Sequence, residues 1–260
     1  MAEDRLERII SLLDPNRETT VKELAQILFV SESSVRRDLT KLLHEERIVR
    51  TFRGAKLRNL SNDEKVSFLY RTQQNSVAKE QIAIQCLPYI HDGDTIMMDD
   101  SSTVMFVLPH LRQFKNLTVI TNCIRTSYAL CELGIFNYVL GGAVQNCKAF
   151  AYLGSFAESM LRQFHANLAL FSCKGISSRG MLSSGSEGQD ALRRIMLENC
   201  QTSILLCDSS KIGRVFLHDF ASVQDVDVVL CDKPLPEQIH SQIGLHRHPS
   251  TDIYNIKKHG

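Results

Sequence analysis

From residue 94 onward the chain repeats one pattern: a short apolar run of strand length, then a stretch of helical length. The runs are "DTIMMD" (94–99), "LTVIT" (117–121), "NYVLG" (137–141), "LALFSC" (168–173), "SILLC" (203–207) and "VDVVLC" (226–231). Between most of them lie helical patterns such as "STVMFVLPHL", "IRTSYALCEL", "FAESMLRQF" and "DALRRIMLEN". A strand that is apolar on both faces belongs between two layers, and a helix of that length is the crossover that joins parallel neighbours. The expected fold class for this half is therefore α/β, with a mostly parallel sheet. A helix over roughly 76–88 leads into it, and the polar last dozen residues are expected to fray. No apolar run approaches the ~18 residues of a membrane span. "MAEDRLERII" carries charge on both sides of few apolar residues, unlike a secretory signal. A cytoplasmic protein with no membrane partner is expected.

Charge divides the chain differently. Residues 36–58 hold eight Lys/Arg against three acids, whereas 59–260 hold 18 against 19. A basic segment on an otherwise neutral chain is an electrostatic footprint. The eight cysteines, Cys86, Cys123, Cys131, Cys147, Cys173, Cys200, Cys207 and Cys231, include no C-x-x-C and mostly sit in apolar runs. That suits buried reduced thiols and not a disulfide framework or zinc site. "HRH" (246–248) with His240 lacks cysteine or acidic partners and reads as solvent-exposed, so no metal is expected. With no P-loop and no G-x-G-x-x-G, no nucleotide cofactor is expected either.

The basic segment follows a helix pair. Thr20 and Glu23 form a capping box that starts a helix near 21, with Leu24, Ile27 and Leu28 on its apolar face. Ser31 caps a second helix running to about 44, with Val35, Leu39, Leu42 and Leu43 inward. Ser33, Ser34, Arg36, Arg37 and Lys41 are left on or beside its outer face. "RLERIISLL" supplies a helix behind the pair, and "RIVRTFRGAKLR" reads as a two-stranded wing. This is a helix-turn-helix pattern: the major groove admits one helix, whose N-terminal side chains reach bases and phosphates. Candidate DNA-binding residues are Ser31, Ser33, Ser34, Arg36, Arg37 and Lys41, with Arg50, Arg53 and Lys56 of the wing for phosphates.

In open α/β sheets ligands bind beyond the carboxyl ends of the strands. There the sequence places Asp99, Asp100, Ser101, Ser102 and Thr103, then Thr121 and Asn122, Gly141 and Gly142, Lys174, and Lys211 within "CDSSKIGR". Hydroxyls and backbone N–H groups at a helix start, with lysines nearby, favour a small polyanion. Glu187 joins them as a further candidate. An alternative use of the same residue types is catalysis, with Asp99 or Asp100, Glu187 and Lys211 as an acid/base set for proton transfer next to a carbonyl, the chemistry of an isomerase or deaminase. A third possibility is a helix-turn-helix used only for protein contacts.

"ELAQILFVSESSVRRDLTKL" followed by "RGA" resembles the DNA-binding domain of DeoR-type bacterial transcriptional regulators, whose recognition helix reads V-S-x-x-T-[IV]-R-R-D-L and whose wing ends H-G-G-A. Ser34 stands where threonine is usual, Glu46 where a turn glycine is usual, and "FRGA" (52–55) replaces H-G-G-A. The second half is similar to the sensor domain of the same family, which shares its fold with ribose-5-phosphate isomerase. Asp99 to Thr103 match D-x-G-[ST]-T, with Ser101 in the glycine place. Residues 121–122, 141–142 and 208–213 match T-N, G-G and D-S-S-K-[FI]-G, and Arg71 and Lys79 resemble the R…(E)K before the domain. In "NLALFSCKGI" (167–176) Leu168 takes a lysine place, Ser172 takes a glycine place, and Lys174 is displaced.

The resemblance implies a winged helix-turn-helix over 1–58, a linker over 59–75, and an effector-sensing and oligomerisation domain over 76–260. It implies a transcriptional regulator, a repressor and not an enzyme, of sugar or polyol metabolism. Its partners would be double-stranded operator DNA and a phosphorylated sugar or polyol, and it would act as a homodimer or homotetramer.

Overall fold

The computed structural model describes residues 2–14, 18–44, 47–57, 68–144, 150–237, 239, 245–247 and 253–256. The chain divides into two compact units, Met1–Gln74 and Asn75–Gly260.

The first unit contains α1 (Ala2–Leu12), β1 (Thr19–Thr20), α2 (Val21–Leu28), α3 (Glu32–His44), β2 (Ile48–Arg50), β3 (Gly54–Leu57) and α4 (Phe68–Gln73). α2 begins where the capping box requires. The Glu23 N–H donates to Thr20 Oγ1 at 3.2 Å and the Thr20 N–H to the Glu23 carboxylate at 2.7 Å. α2 ends at Phe29, held in the left-handed region at φ 54°. Ser31 then caps α3, accepting the Ser34 N–H at 3.2 Å. Leu6, Ile9, Val21, Leu24, Val35, Leu39, Leu42, Ile48 and Ala55 close the core. Each fully buried aliphatic side chain contributes on the order of 1.5–3 kcal/mol. Two ion pairs tie α1 to the rest: Arg5 with Asp38 at 2.6 Å, and Arg47 with Glu7 at 2.7 Å.

Two expected core residues face water: Ile27 is 44% exposed and Leu43 42% exposed. At ~100° per residue each lies roughly 75–100° round from the buried stripe of its helix. The wing also differs. Thr19 and Thr20 pair antiparallel with Ala55 and Gly54, so the sheet has three strands in the order β1-β3-β2. β3 lies so close to β1 that a Cβ on Gly54 would collide with the Thr19 carbonyl. Helix α4 occupies part of the stretch expected as a linker. Glu46 lies outside the described residues.

In the second unit α5 (Ser76–Cys86) precedes β4 (Thr95–Met98), β5 (Thr118–Thr121), α6 (Ile124–Glu132) and β6 (Phe136–Val139). Then come α7 (Ser155–Leu161), β7 (Ala166–Phe171), β8 (Gly175–Ile176), β9 (Met181–Ser184), α8 (Glu187–Glu198) and β10 (Cys200–Leu206). β11 (His218–Ser222), β12 (Val228–Leu230), β13 (Leu245–Arg247) and β14 (Ile253–Ile256) complete it. The main sheet runs β13-β14-β12-β10-β7-β4-β5-β6. Its six central and distal strands, β12 to β6, are parallel, and β14 and β13 join antiparallel.

All six expected strands are present. Their alternating side chains feed two cores. Met97, Ile120, Ala169, Phe171, Leu205 and Val229 pack beneath α7 and α8. Ile96, Met98, Val119, Leu168, Leu170, Ile204 and Leu206 pack on the other face, beneath α5 and α6. A second sheet, β11-β9-β8, was not expected. Two further corrections stand. "STVMFVLPHL" forms 3-10 turns over Val104–Gln113 rather than an α-helix, with Pro109 denying it a backbone donor. The final residues are not all frayed, because 253–255 pair with β12 along the ladder. Cys131 is exposed, while Cys86, Cys123, Cys173, Cys207 and Cys231 are buried thiols.

The strand order sets the site. The chain runs outward through β4, β5 and β6, then returns to place β7 on the other side of β4. This reversal opens a crevice at the carboxyl ends of β4 and β7. Met98 is level with Thr121 on one neighbour and Leu170 on the other. The residues that follow these strands therefore share one rim.

Candidate functional site

Each unit carries a cationic site of its own. In the first, the N-terminus of α3 gathers three hydroxyls: Ser31 Oγ lies 2.8 Å from Ser33 Oγ and 3.0 Å from Ser34 Oγ. Arg36, Arg37 and Lys41 are exposed on the same helix. Arg36 makes only a loose pair with Glu32 at 3.5 Å. Arg53 is exposed on the wing, while Arg50 and Lys56 are half-buried. Arg50 Nη1 is buried without a hydrogen-bond partner. The arrangement offers hydroxyls and exposed guanidinium groups on one helix, with a further cation on the wing. Those are the groups that bind phosphates and guanine edges.

The second site forms at the crevice between β4 and β7. Lys211 donates to Ser172 Oγ at 2.8 Å and to Thr103 Oγ1 at 3.3 Å, and pairs with Asp208 at 3.6 Å. Lys79 of α5 reaches the same ledge and donates to Ser102 Oγ at 3.2 Å. Asn75 Nδ2 donates to Asp208 Oδ1 and to Ser210 Oγ, each at 2.9 Å. An open cleft lined by Asn75, Gln81, Asp208, Ser210, Asp232 and Lys233 adjoins this cluster. Burial pushes the Asp208 carboxyl up, but Lys211, Ser210, Lys79 and Asn75 outweigh it and leave its pKa below the ordinary aspartate value.

The aspartates after β4 hold the crevice together. Asp99 accepts the Ser101 N–H at 3.0 Å, the Ser172 N–H at 3.2 Å and Arg193 Nε at 3.0 Å. Arg193 also donates to Asp190 at 3.1 Å. Burial disfavours the Arg193 charge, yet Asp99, Asp100 and Asp190 together hold its pKa above the ordinary value. Gln189 donates to Asp100. Asp99 is thus engaged on both oxygens by backbone and arginine, which suits a brace and not a proton acceptor. Ser101 Oγ accepts the Val104 N–H at 3.2 Å as a turn cap.

The neighbouring strand ends serve the rim's shape. Thr121 Oγ1 accepts the Cys123 N–H at 3.1 Å, and Asn122 Nδ2 reaches the Tyr152 carbonyl at 3.4 Å. Gly141 and Gly142 are exposed, and a Cβ on Gly142 would come within 2.7 Å of the Leu153 carbonyl. Lys174 leans over Phe216, 6.0 Å from the ring centroid. Glu187 opens α8 and is exposed. The structure therefore brings together Ser102, Thr103 and Lys211. It adds Lys79, Ser172, Asn75 and Asp208, which were not among the candidates. Ser172 gave a signal in the sequence, since a hydroxyl stood in a glycine place. Arg71 lies in α4, its guanidinium 5.6 Å from the Phe68 ring centroid. Among the described residues no group of three or more His, Cys, Asp or Glu could hold a metal. No described helix is long and apolar enough to cross a membrane.

Residues 5–60 match the model of the DeoR-like helix-turn-helix domain, and residues 74–233 match that of the DeoR C terminal sensor domain. The chain is 32% identical to the HTH-type transcriptional repressor GlcR of Bacillus subtilis, over 91% of this chain and 90% of that protein. It is 30% identical to the L-fucose operon activator of Haemophilus influenzae, over 93% and 96%. Among solved structures, ribose 5-phosphate isomerase A from Methanocaldococcus jannaschii aligns over 54% of this chain and 55% of that one. The identity there is 15% and the TM-score 0.40.

Proposed function

Because this chain belongs to the DeoR family of helix-turn-helix transcriptional regulators, we propose that it represses a sugar or polyol operon in response to a phosphorylated sugar. α3 and the wing bind operator DNA, and the ledge of Lys79, Ser102, Thr103, Ser172 and Lys211 binds the effector's phosphate. The observation that carries this reading is the pair of lysines converging on hydroxyls at the crevice between β4 and β7. A transcriptional repressor and an operon activator among the relatives both support operon control. The chain acts as a homodimer or homotetramer, since two heads related by a two-fold match a palindromic operator. The effector shifts the paired heads between arrangements, and it must bind one arrangement more tightly than the other.

The reading is tested by calorimetry with a panel of pentose, hexose and polyol phosphates beside their unphosphorylated forms. At least one phosphorylated compound binds, and its parent sugar does not. Lys211→Met weakens that binding by roughly 30-fold or more, the value of a charge-assisted bond to phosphate, and leaves DNA binding unchanged. A panel in which nothing phosphorylated binds would sink the effector assignment.

A further inference from the structure

Among the described residues the most exposed large apolar side chain is Phe52, at 99%. A lone apolar side chain on a surface needs no explanation. Phe52 differs because its neighbours are fixed. The Glu18 carboxylate accepts the Thr51 hydroxyl and, at 3.1 Å, the Arg53 N–H. Thr51 Oγ1 accepts the Gly54 N–H at 3.1 Å, and the Thr51 N–H donates to the Gly54 carbonyl at 3.1 Å. The Arg53 carbonyl accepts the Val21 N–H at 3.1 Å. Residues on both sides of Phe52 are thus anchored to Glu18, just before β1, to Gly54 of β3 and to the start of α2. The ring stands out at the apex of the hairpin, beside the exposed Arg53.

We propose that Phe52 is a wedge that enters the DNA minor groove next to the half-site read by α3 and unstacks a base step there, with Arg53 alongside it. The inference rests on the DNA-binding reading. A recognition helix fills the major groove, and the narrower minor groove, about 6 Å wide, takes side chains presented by arms and hairpins. The wing apex presents two such side chains, Phe52 and Arg53, both exposed. Its cation suits the negative potential of a narrow minor groove. An apolar tip that slides between base pairs kinks the duplex, and pyrimidine–purine steps yield most readily. Phe52 therefore adds sequence preference at a position that α3 does not touch.

The test is selection from a random-sequence duplex library by the full chain and its Phe52→Ala and Phe52→Leu variants. The wild type enriches a half-site flanked by a TA or CA step. Phe52→Ala enriches the same half-site without the flanking preference, binds the wild-type site roughly tenfold more weakly, and bends it less, read by energy transfer between the duplex ends. Phe52→Leu retains the preference. The proposal is overturned if Phe52→Ala keeps both the flanking step and affinity within twofold. If the wild type enriches no sequence, the DNA-binding reading itself fails and the wedge fails with it.

Discussion

The two candidate sites present their cations in opposite ways. The DNA head leaves Arg36, Arg37, Lys41 and Arg53 in water, with only a loose pair at Arg36. The sensor withdraws its cations: Lys79 is 3% exposed and the Lys211 side chain 18%. Exposed cations suit a polymer of charge, where binding releases counterions and tolerates many geometries. Withdrawn lysines suit one small anion, because hydroxyls and Asp208 already satisfy them and only a matching ligand can replace those partners. The difference teaches that cation count alone does not identify a phosphate site. What matters is how much solvent the protein removed from the cations beforehand.

The comparison breaks most visibly at Arg193. Arg193→Leu leaves Asp99 and Asp190 buried without their cation, and the sensor unit loses about 3–5 kcal/mol. Urea unfolding followed by circular dichroism reads this as an earlier transition for that unit, with the head's own transition in place. A smaller effect sharpens the contrast. Arg37→Ala lowers the salt-dependence slope of DNA binding by about 0.9, measured by fluorescence anisotropy from low to moderate salt, while effector affinity varies little over the same range. An unchanged slope would place Arg37 off the phosphates. The smallest effect concerns the scaffold of the head. Phe29→Gly relieves a left-handed aromatic residue that is 93% exposed and stabilises the head by about 1 kcal/mol, read as a shift in its denaturation midpoint.

The legibility of the two sites also differs. The head's helix pair was visible in the chain because its parts are local. A capping box spans four residues, and Ser33, Arg36 and Arg37 share one helix. The sheet was visible because each parallel strand is a continuous apolar run. β8, β9 and β11 were not, since "MLSS" and "HDFAS" mix polar and apolar residues without a clean alternation. β1 is two residues long and carries no pattern at all. The sensor's ledge was half visible. Strand ends pointed to Ser102, Thr103 and Lys211, but the partnership of Lys79 with Ser102, or of Arg193 with Asp99, joins residues 23 and 94 positions apart. Such pairings depend on strand order, which hydrophobic periodicity does not encode. Asp99 carried the right chemistry for a ligand contact, while its partners Ser172 and Arg193 lie far along the chain.

The third strand of the wing sheet has a mechanical consequence. β1 runs directly into α2 through Thr20, which is both a strand partner of Gly54 and the cap of the helix. Hairpin and helix entrance therefore cannot loosen separately. A tug on the hairpin would be felt at the first turn of α2, and through the shared core at α3. Hairpin and helix entrance are coupled through one residue, so the amide protons of Thr20 and Ala55 should exchange with solvent in a single cooperative opening.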